Sequence, residues 1–124
     1  MDDPVIAVGS EELQLPEQVT AGIDRRQAFA DDHVWVGRAR TEPHVWSDWH
    51  HHPGHDTYVY ALSGSLAVDF GDGGSERTEV LPGTFVRIAK GVVHREGNPG
   101  DVPNVGIVFR IGEGPITVNV DGPK

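Results

Sequence analysis

Histidine provides the clearest chemical signal in this 124-residue chain, because four of the seven histidines fall within residues 50–55. Alternate side chains of an extended strand share a face, so His50 and His52 are expected to point one way and His51 the other. Neutral imidazoles are good ligands for divalent transition metals. A third ligand must come from elsewhere in the chain, and His94, which follows a predicted strand and a turn, is the obvious candidate.

The amino-acid composition excludes some kinds of metal site and some classes of binding partner. The chain has no cysteine, so a metal site must use nitrogen and oxygen ligands. A net charge of -9 with scattered basic residues argues against a nucleic-acid partner. No apolar run is long enough to span a membrane, and the first residues lack the pattern of a secretory signal. We therefore expect a cytoplasmic protein with a small-molecule ligand.

The elements that must position the histidines are short β-strands. From Val34 onward, β-type runs alternate with turn signals, and no convincing amphipathic helix appears. We expect an all-β, antiparallel sandwich or barrel in residues 31–124, preceded by an N-terminal arm or edge strand in residues 1–30. Within that arm, Val5–Val8 could pair as an edge strand, and Glu11–Leu15 or Arg25–Phe29 could form a helical turn. The predicted strands are Val34–Arg38, Val45–His52, Thr57–Leu62, Leu66–Phe70, Thr78–Leu81, Thr84–Ile88, Val105–Ile111 and Ile116–Val120.

The stretch from His50 to Gly64 resembles the first sequence motif of the cupins, HxH followed by three or four residues, Glu, six residues and Gly. Two departures stand out. His44 occupies the position of the glycine that usually opens this motif. Thr57 stands seven residues before Gly64, where cupins usually have a glutamate ligand.

The second cupin motif, G-x5-P-x-G-x2-H-x3-N, is matched by Gly83, Gly91, His94 and Asn98, with Ala89 in place of its proline. The resemblance covers about residues 33–111 and implies a small stand-alone bacterial cupin, an antiparallel double-stranded β-helix or jelly-roll barrel. It also implies one divalent transition metal held by three histidines without a protein carboxylate. Iron(II) is the expected ion, and nickel, copper, zinc or manganese are alternatives.

Further candidates surround this predicted site. Thr57 could hydrogen-bond a metal-bound water, and His55 could become a fourth ligand or a catalytic group, although a solvated loop is the more ordinary place for it. Arg87 and Arg110 lie on predicted strands, where an outward salt bridge is the expected role, although an inward-facing arginine could hold a substrate carboxylate. For Gly64, Gly83, Gly91 and Asn98, turn formation is the expected role. The candidate substrate-pocket residues are Trp35, Trp46, Phe85, Arg87 and Phe109.

Three functions remain open at this point. The first is a metal-dependent oxygenase of the dioxygenase type that acts on a small organic anion such as an enolate or a catecholate. The second is a non-catalytic metal or small-molecule binding module, because a fold does not fix a function. The third is a metal-assisted isomerase, cyclase or lyase. The resemblance also implies a homodimer, since cupins commonly pair through their sheets.

Overall fold

The computed structural model describes residues 3–17 and 19–123 and is built almost entirely from antiparallel strands. Among these residues, no helix is long and apolar enough to cross a membrane. Two single-turn 3-10 helices lie at Ser10–Glu12 and Asp72–Gly74. The strands are β1 Asp24–Ala30, β2 Val34–Thr41, β3 His50–His51, β4 His55–Ser63, β5 Leu66–Phe70, β6 Glu76–Val80, β7 Phe85–Ile88, β8 Arg95–Gly97, β9 Asn104–Gly112 and β10 Val118–Asn119.

The strands form two facing layers. One layer is a five-stranded sheet with the order β1-β2-β9-β4-β7. The other layer contains a three-stranded sheet, β6-β5-β8, and a two-stranded sheet, β10-β3. Isolated bridges at Trp46–Gly97 and His50–His94 connect these two sheets. All named strand pairs are antiparallel, so the all-β prediction is confirmed.

Period-two alternation decides what each strand presents to the interior. On β4 the side chains of His55, Thr57, Val59 and Ala61 are buried, while those between them are half-buried or exposed. Apolar residues from both layers meet in one core, and burying them supplies the main driving force for folding. The core residues are Trp35, Val59, Ala61, Leu66, Val68, Val80, Ile88 and Val108.

The N-terminal segment differs in detail from the sequence prediction. Of the two candidate helical turns, the one at Arg25–Phe29 is wrong, because these residues lie within strand β1, which pairs with β2 along the edge of the five-stranded sheet. The 3-10 helix at Ser10–Glu12 overlaps only the start of the other candidate, Glu11–Leu15. The strand geometry places Arg25 and Gln27 on the inner face, where Arg25 is buried. Residues 5–8 form no strand. The proposed boundary between residues 30 and 31 stays a prediction.

A left-handed residue lies at the start of the first motif. His44 has φ 61° and, among the described residues, it is the non-glycine residue with positive φ. Its exposed ring forms a 3.0 Å contact with Asp101, and its backbone N–H donates to the Asn98 carbonyl. The cupin motif usually has glycine at this position, so here a histidine adopts the backbone conformation that glycine adopts most readily.

Candidate metal centre

Backbone pairing brings two of the predicted ligands together. His50 and His94 lie opposite each other in an antiparallel bridge and exchange two N–H···O bonds of 2.9 Å. His52 follows two residues later on the same face. The turn before His94 is fixed by Gly91, which has φ 79° and donates its N–H to the His52 carbonyl. Residues distant in sequence thus meet at one point inside the barrel.

The three imidazoles form a compact, buried cluster. Their ligand atoms all lie within 4.8 Å of one another. The ring centroids of His50 and His94 are 4.3 Å apart, and that of His52 lies 5.1 Å and 5.3 Å from them. All three side chains are almost completely excluded from solvent. The geometric prediction of a convergent histidine trio is therefore confirmed.

Each ring is oriented by a backbone carbonyl. The Nδ1 atom of His50 lies 2.8 Å from the Asp48 oxygen, that of His94 lies 2.8 Å from the Val92 oxygen, and that of His52 contacts the Ile116 oxygen. A carbonyl oxygen only accepts hydrogen bonds, so in each neutral ring Nδ1 carries the hydrogen and Nε2 carries the lone pair. All three Nε2 atoms are buried and lack a hydrogen-bond partner.

This donor set fits a divalent metal. Burial lowers the pKa of His52 to about 2, and it lowers the pKa of His94 to about 4. The rings of His52 and His94 are consequently neutral near pH 7, the form in which imidazole binds metal. A second partner that fixes the tautomer of each ligating histidine is a common feature of metal sites. The unpartnered Nε2 atoms of His50, His52 and His94 would hold the ion.

A buried ion pair adjoins the cluster, and it was missed at the sequence level. The Glu96 carboxylate binds the Arg25 guanidinium and lies 3.6 Å from Nε2 of His50. Burial alone would raise the pKa of Glu96, but Arg25 and the neighbouring histidines hold it well below its usual value. The position of Glu96 two residues after His94 on the same strand face was the available signal.

Beside the cluster, a cleft of about 710 Å³ opens between β1, β2 and residues 114–117. Buried Arg25, Trp35, His55 and Arg110 line it. Arg25 and Arg110 also line a small inner cavity of about 20 Å³, together with Thr57 and Glu96. None of the three clustered histidines lines the cleft. Ile116 connects the two regions, because it lines the cleft and its carbonyl oxygen accepts the hydrogen bond from His52.

His55 and Thr57 are both buried, at 4% and 2% exposure. The expected solvated position of His55 is therefore wrong, because the strand β4 begins at this residue and turns its side chain inward. Burial lowers the pKa of His55, and its Nδ1 atom has no hydrogen-bond partner. Thr57 Oγ1 likewise has none. Neither residue belongs to the three-histidine cluster.

The other candidate pocket residues are spread over both faces of the fold. Trp35 lines the cleft and its indole N–H donates to Gln27 Oε1 over 2.9 Å. Phe85, Arg87 and Phe109 have exposed side chains, because their inward neighbours on β7 and β9 take the interior positions. Trp46 packs against Gly97 and under two arginines of the three-stranded sheet. Of these five, only Trp35 lines the cleft.

Unpartnered buried atoms concentrate in this region. Among the described residues, nine buried side-chain nitrogen or oxygen atoms have no hydrogen-bond partner, and seven of them belong to the cluster, the cleft or the inner cavity. The exceptions are in Thr20 and His51. Native proteins rarely leave such groups unsatisfied, so their concentration makes this region the candidate ligand site of the described residues. The seven belong to Arg25, His50, His52, His55, Thr57, His94 and Arg110.

Comparison with solved structures shows the same architecture. A double-stranded β-helix protein from Klebsiella pneumoniae superposes with a TM-score of 0.74 and 16% identity, over 99% of this chain and 100% of that one. Oxalate decarboxylase of Bacillus subtilis, described with Mn(II) centres, gives a TM-score of 0.70 and 19% identity over 86% of this chain and 30% of the enzyme. At these identities the likeness establishes the fold alone.

Sequence comparison identifies one relative and the family of this chain. A segment of 49 residues is 45% identical to the uncharacterised protein YdbB of Bacillus subtilis, and it spans 39% of this chain and 41% of YdbB. The match thus covers less than half of that relative. Residues 37–110 match the Cupin domain family, more than half of the chain, and include all three clustered histidines. The chain therefore belongs to the cupin family, as its motifs predicted.

Proposed function

We propose that this cupin holds one divalent transition metal through His50, His52 and His94 and acts as an oxygenase on a small organic anion. The observation that carries the proposal is a set of three buried imidazoles whose candidate ligand atoms lie within 4.8 Å of one another and whose Nε2 atoms have no hydrogen-bond partner. When bound, iron(II) would supply a Lewis-acidic, redox-active centre with open positions for substrate and dioxygen. Nickel, copper, zinc and manganese are compatible with the same nitrogen ligands.

The surrounding residues fit an anionic substrate. Arg110 is buried and lines both the cleft and the inner cavity, where it supplies a positive charge in a chain that is acidic overall, whereas the charge of Arg25 is matched by Glu96. His55 offers an unpartnered nitrogen to the same space, and its lowered pKa keeps it available as a proton acceptor near neutral pH. Thr57 offers a hydroxyl to the inner cavity.

The test is anaerobic loading with iron(II), followed by air and a panel of diketones, catechols and thiols, with oxygen uptake recorded. The proposal expects uptake that depends on substrate and disappears in His94→Ala. His33→Ala, which changes an exposed histidine outside the cluster, is the matched control and should retain full uptake. Metal-loaded protein that binds the compounds without consuming oxygen or forming product would contradict the oxygenase and support a binding module.

His55 supports a second candidate, a metal-assisted isomerase, cyclase or lyase. An unpartnered imidazole nitrogen in the cleft suits proton transfer to or from a substrate without any need for dioxygen. The two functions separate under argon, where an isomerase, cyclase or lyase converts its substrate and an oxygenase does not. Turnover under argon that is lost in His55→Ala would favour this second candidate.

We also propose that the chain forms a homodimer through the outer face of the five-stranded sheet. Tyr58 lies opposite Phe109 and Tyr60 opposite Phe85, and Phe85 is 74% exposed. With exposed Ile111, these side chains form an apolar surface of the kind that marks association sites. Light scattering after size exclusion should give twice the mass of the chain, and Phe109→Asp should give the monomer. A monomeric wild-type protein would contradict the dimer.

A further inference from the structure

Arg110 is a buried cation without an acidic partner. Its side chain is 3% exposed, and no described carboxylate lies within ion-pair distance of it. Its guanidinium stacks over the Trp35 ring at 5.0 Å, and its Nε atom has no hydrogen-bond partner. A buried charge is costly unless it is paired, so an unpaired guanidinium that faces a cleft points to a ligand that completes it.

Arg25, the other buried arginine of the cleft, is different because Glu96 already neutralises it. Arg110 therefore carries the unmatched charge of the cleft. It is also close to the histidines, since it lies opposite Thr57 in the β4–β9 pair and lines the cleft together with Ile116, whose carbonyl oxygen accepts from His52. A ligand at Arg110 would thus lie within electrostatic range of the metal centre.

We propose that Arg110 is the subsite for a single carboxylate of the substrate, which it holds by paired N–H···O bonds while Trp35 supports the guanidinium. This inference deepens the proposed function, because it names a carboxylate as the anionic group. The planar guanidinium matches a planar carboxylate in a two-pronged contact. The aromatic ring beneath it fixes the plane in which this contact forms.

The charges around the cleft select for one negative group. Arg25, Arg110 and Glu96 together leave one positive charge unmatched. Exposed Glu17 and Asp32 lie at the cleft, with Asp31 beside them, and would repel a dianion. A singly charged carboxylate satisfies Arg110 with less repulsion than a phosphate. The subsite is therefore expected to prefer a monocarboxylate over a phosphate.

The indole resonances provide a direct test. The chain has three tryptophans, of which Trp35 lines the cleft, while Trp46 and Trp49 do not line it and serve as internal references. Zinc-loaded protein, which is diamagnetic, is titrated with benzoate, with the neutral isostere benzamide and with inorganic phosphate. We expect benzoate to shift the Trp35 indole N–H signal and benzamide to bind much more weakly.

Substitutions at Arg110 then assign the effect. Arg110→Gln should weaken benzoate binding about ten- to a hundredfold, the value of a charge-assisted bidentate contact. Arg110→Lys, which keeps the charge without the planar guanidinium, should have an affinity for benzoate between those of wild type and Arg110→Gln. Arg40→Gln is the control, because Arg40 pairs with Glu42 on the surface. Should Arg110→Gln fail to fold, the comparison of benzoate with benzamide on wild-type protein still decides the matter.

Equal affinity for benzoate and benzamide, wild-type affinity in Arg110→Lys and Arg110→Gln, or tighter binding of phosphate would overturn the carboxylate subsite. Repeating the titration on metal-free protein separates this inference from the proposed function. A carboxylate response that persists without metal supports the subsite whether or not oxygen uptake is found. Oxygen uptake with no Arg110-dependent binding supports the oxygenase and rejects the subsite.

Discussion

The histidine cluster inside the barrel and the Asp69 cluster on the outer side of the three-stranded sheet both contain buried ionisable groups, but they differ in how their polar atoms are satisfied. Asp69 accepts bonds of 2.7 Å and 3.1 Å from Arg77 and one of 3.0 Å from Arg95. Both arginines also stack on Trp46, at 4.8 Å and 5.1 Å. The interior cluster instead leaves three imidazole nitrogens without partners.

This difference separates a structural polar cluster from a functional one. Satisfied hydrogen bonds contribute net stability, whereas each buried unsatisfied group costs about 1–3 kcal/mol. In the outer cluster the Arg77 hydrogen bond lowers the pKa of Asp69, so the interaction favours the charged form. In the interior cluster burial lowers the pKa values of His52 and His94, and no protein group compensates the lone pairs. A bound metal would compensate them.

The largest expected effect is on metal content. His94→Ala should reduce bound metal to background, because it removes one of three ligands, while Asp69→Asn should leave it at one ion per chain. At metal a hundredfold above the dissociation constant, binding adds about 2.7 kcal/mol to the free energy of unfolding, so chelator should destabilise wild type and Asp69→Asn alike. Elemental analysis measures the metal content, and melting curves measure the loss of stability. Metal retained by His94→Ala would contradict the assignment of the interior cluster as the metal site.

A second prediction concerns the ion pair beside the cluster. Glu96→Gln leaves Arg25 buried without its carboxylate and should lower the free energy of unfolding by about 3–5 kcal/mol. Urea denaturation measures this loss. The double variant Arg25→Met with Glu96→Leu removes both charges and should recover much of it. If Glu96→Gln leaves the free energy of unfolding unchanged, the Arg25–Glu96 pair is not desolvated as the structure indicates.

The pH dependence of the metal-free protein follows from the buried histidines. The unfolded chain binds protons below a histidine pKa of about 6.5, whereas folded His52 and His94 stay neutral down to pKa values of about 2 and about 4. Stability should therefore fall as pH drops from 6.5 to 4, by about 1.4 kcal/mol per pH unit for each histidine. The pKa of Asp69 is lowered from 3.8, so the Asp69 cluster affects the pH dependence of stability only below about pH 4. His94→Gln should show a shallower slope.

A smaller effect is expected in the outer cluster itself. Asp69→Asn weakens three hydrogen bonds to arginines that are partly exposed, and it should cost about 1–2 kcal/mol without change in metal content. The same denaturation series measures it. A loss of metal in this variant would mean that the two clusters are coupled through the sheet, contrary to the separation drawn above.

The smallest effect concerns Thr57. Its hydroxyl is buried and unpartnered, so Thr57→Val removes a polar group that contributes no hydrogen bond and should change the free energy of unfolding by less than about 1 kcal/mol. If the hydroxyl contacts substrate or a bound water in the inner cavity, oxygen uptake should fall while stability does not. A strongly destabilised variant would indicate a structural role instead.

Much of the fold and the convergence of the three histidines followed from the sequence. The alternation of side chains and the motif spacing placed His50, His52 and His94 together, and Leu66–Phe70 is a strand with the predicted bounds. Strand lengths were less predictable. The expected strand Val45–His52 contains regular pairing only at His50–His51 and a bridge at Trp46, because a strand ends where its partner's hydrogen bonds end and not where β-type residues end.

The walls of the cleft were harder to predict because they depend on which face each strand turns inward. A helical turn was one expectation for Arg25 and a solvated loop was the expectation for His55, yet both are buried. Arg25 lies on β1, which pairs with its neighbour β2, and His55 lies on β4, which pairs with the distant β9. Phe85 and Arg87 were expected near the pocket, but the register of β7 against β4 places them outside. Tertiary register, which local pattern does not determine, decided these cases.

The most direct test of the metal centre is an anomalous diffraction map of protein purified without added metal, recorded on both sides of the absorption edges of the first-row metals. We predict a single peak between the Nε2 atoms of His50, His52 and His94, with an edge that identifies the ion. No peak there, or a peak elsewhere in the chain with the three imidazoles left without a ligand, would contradict it.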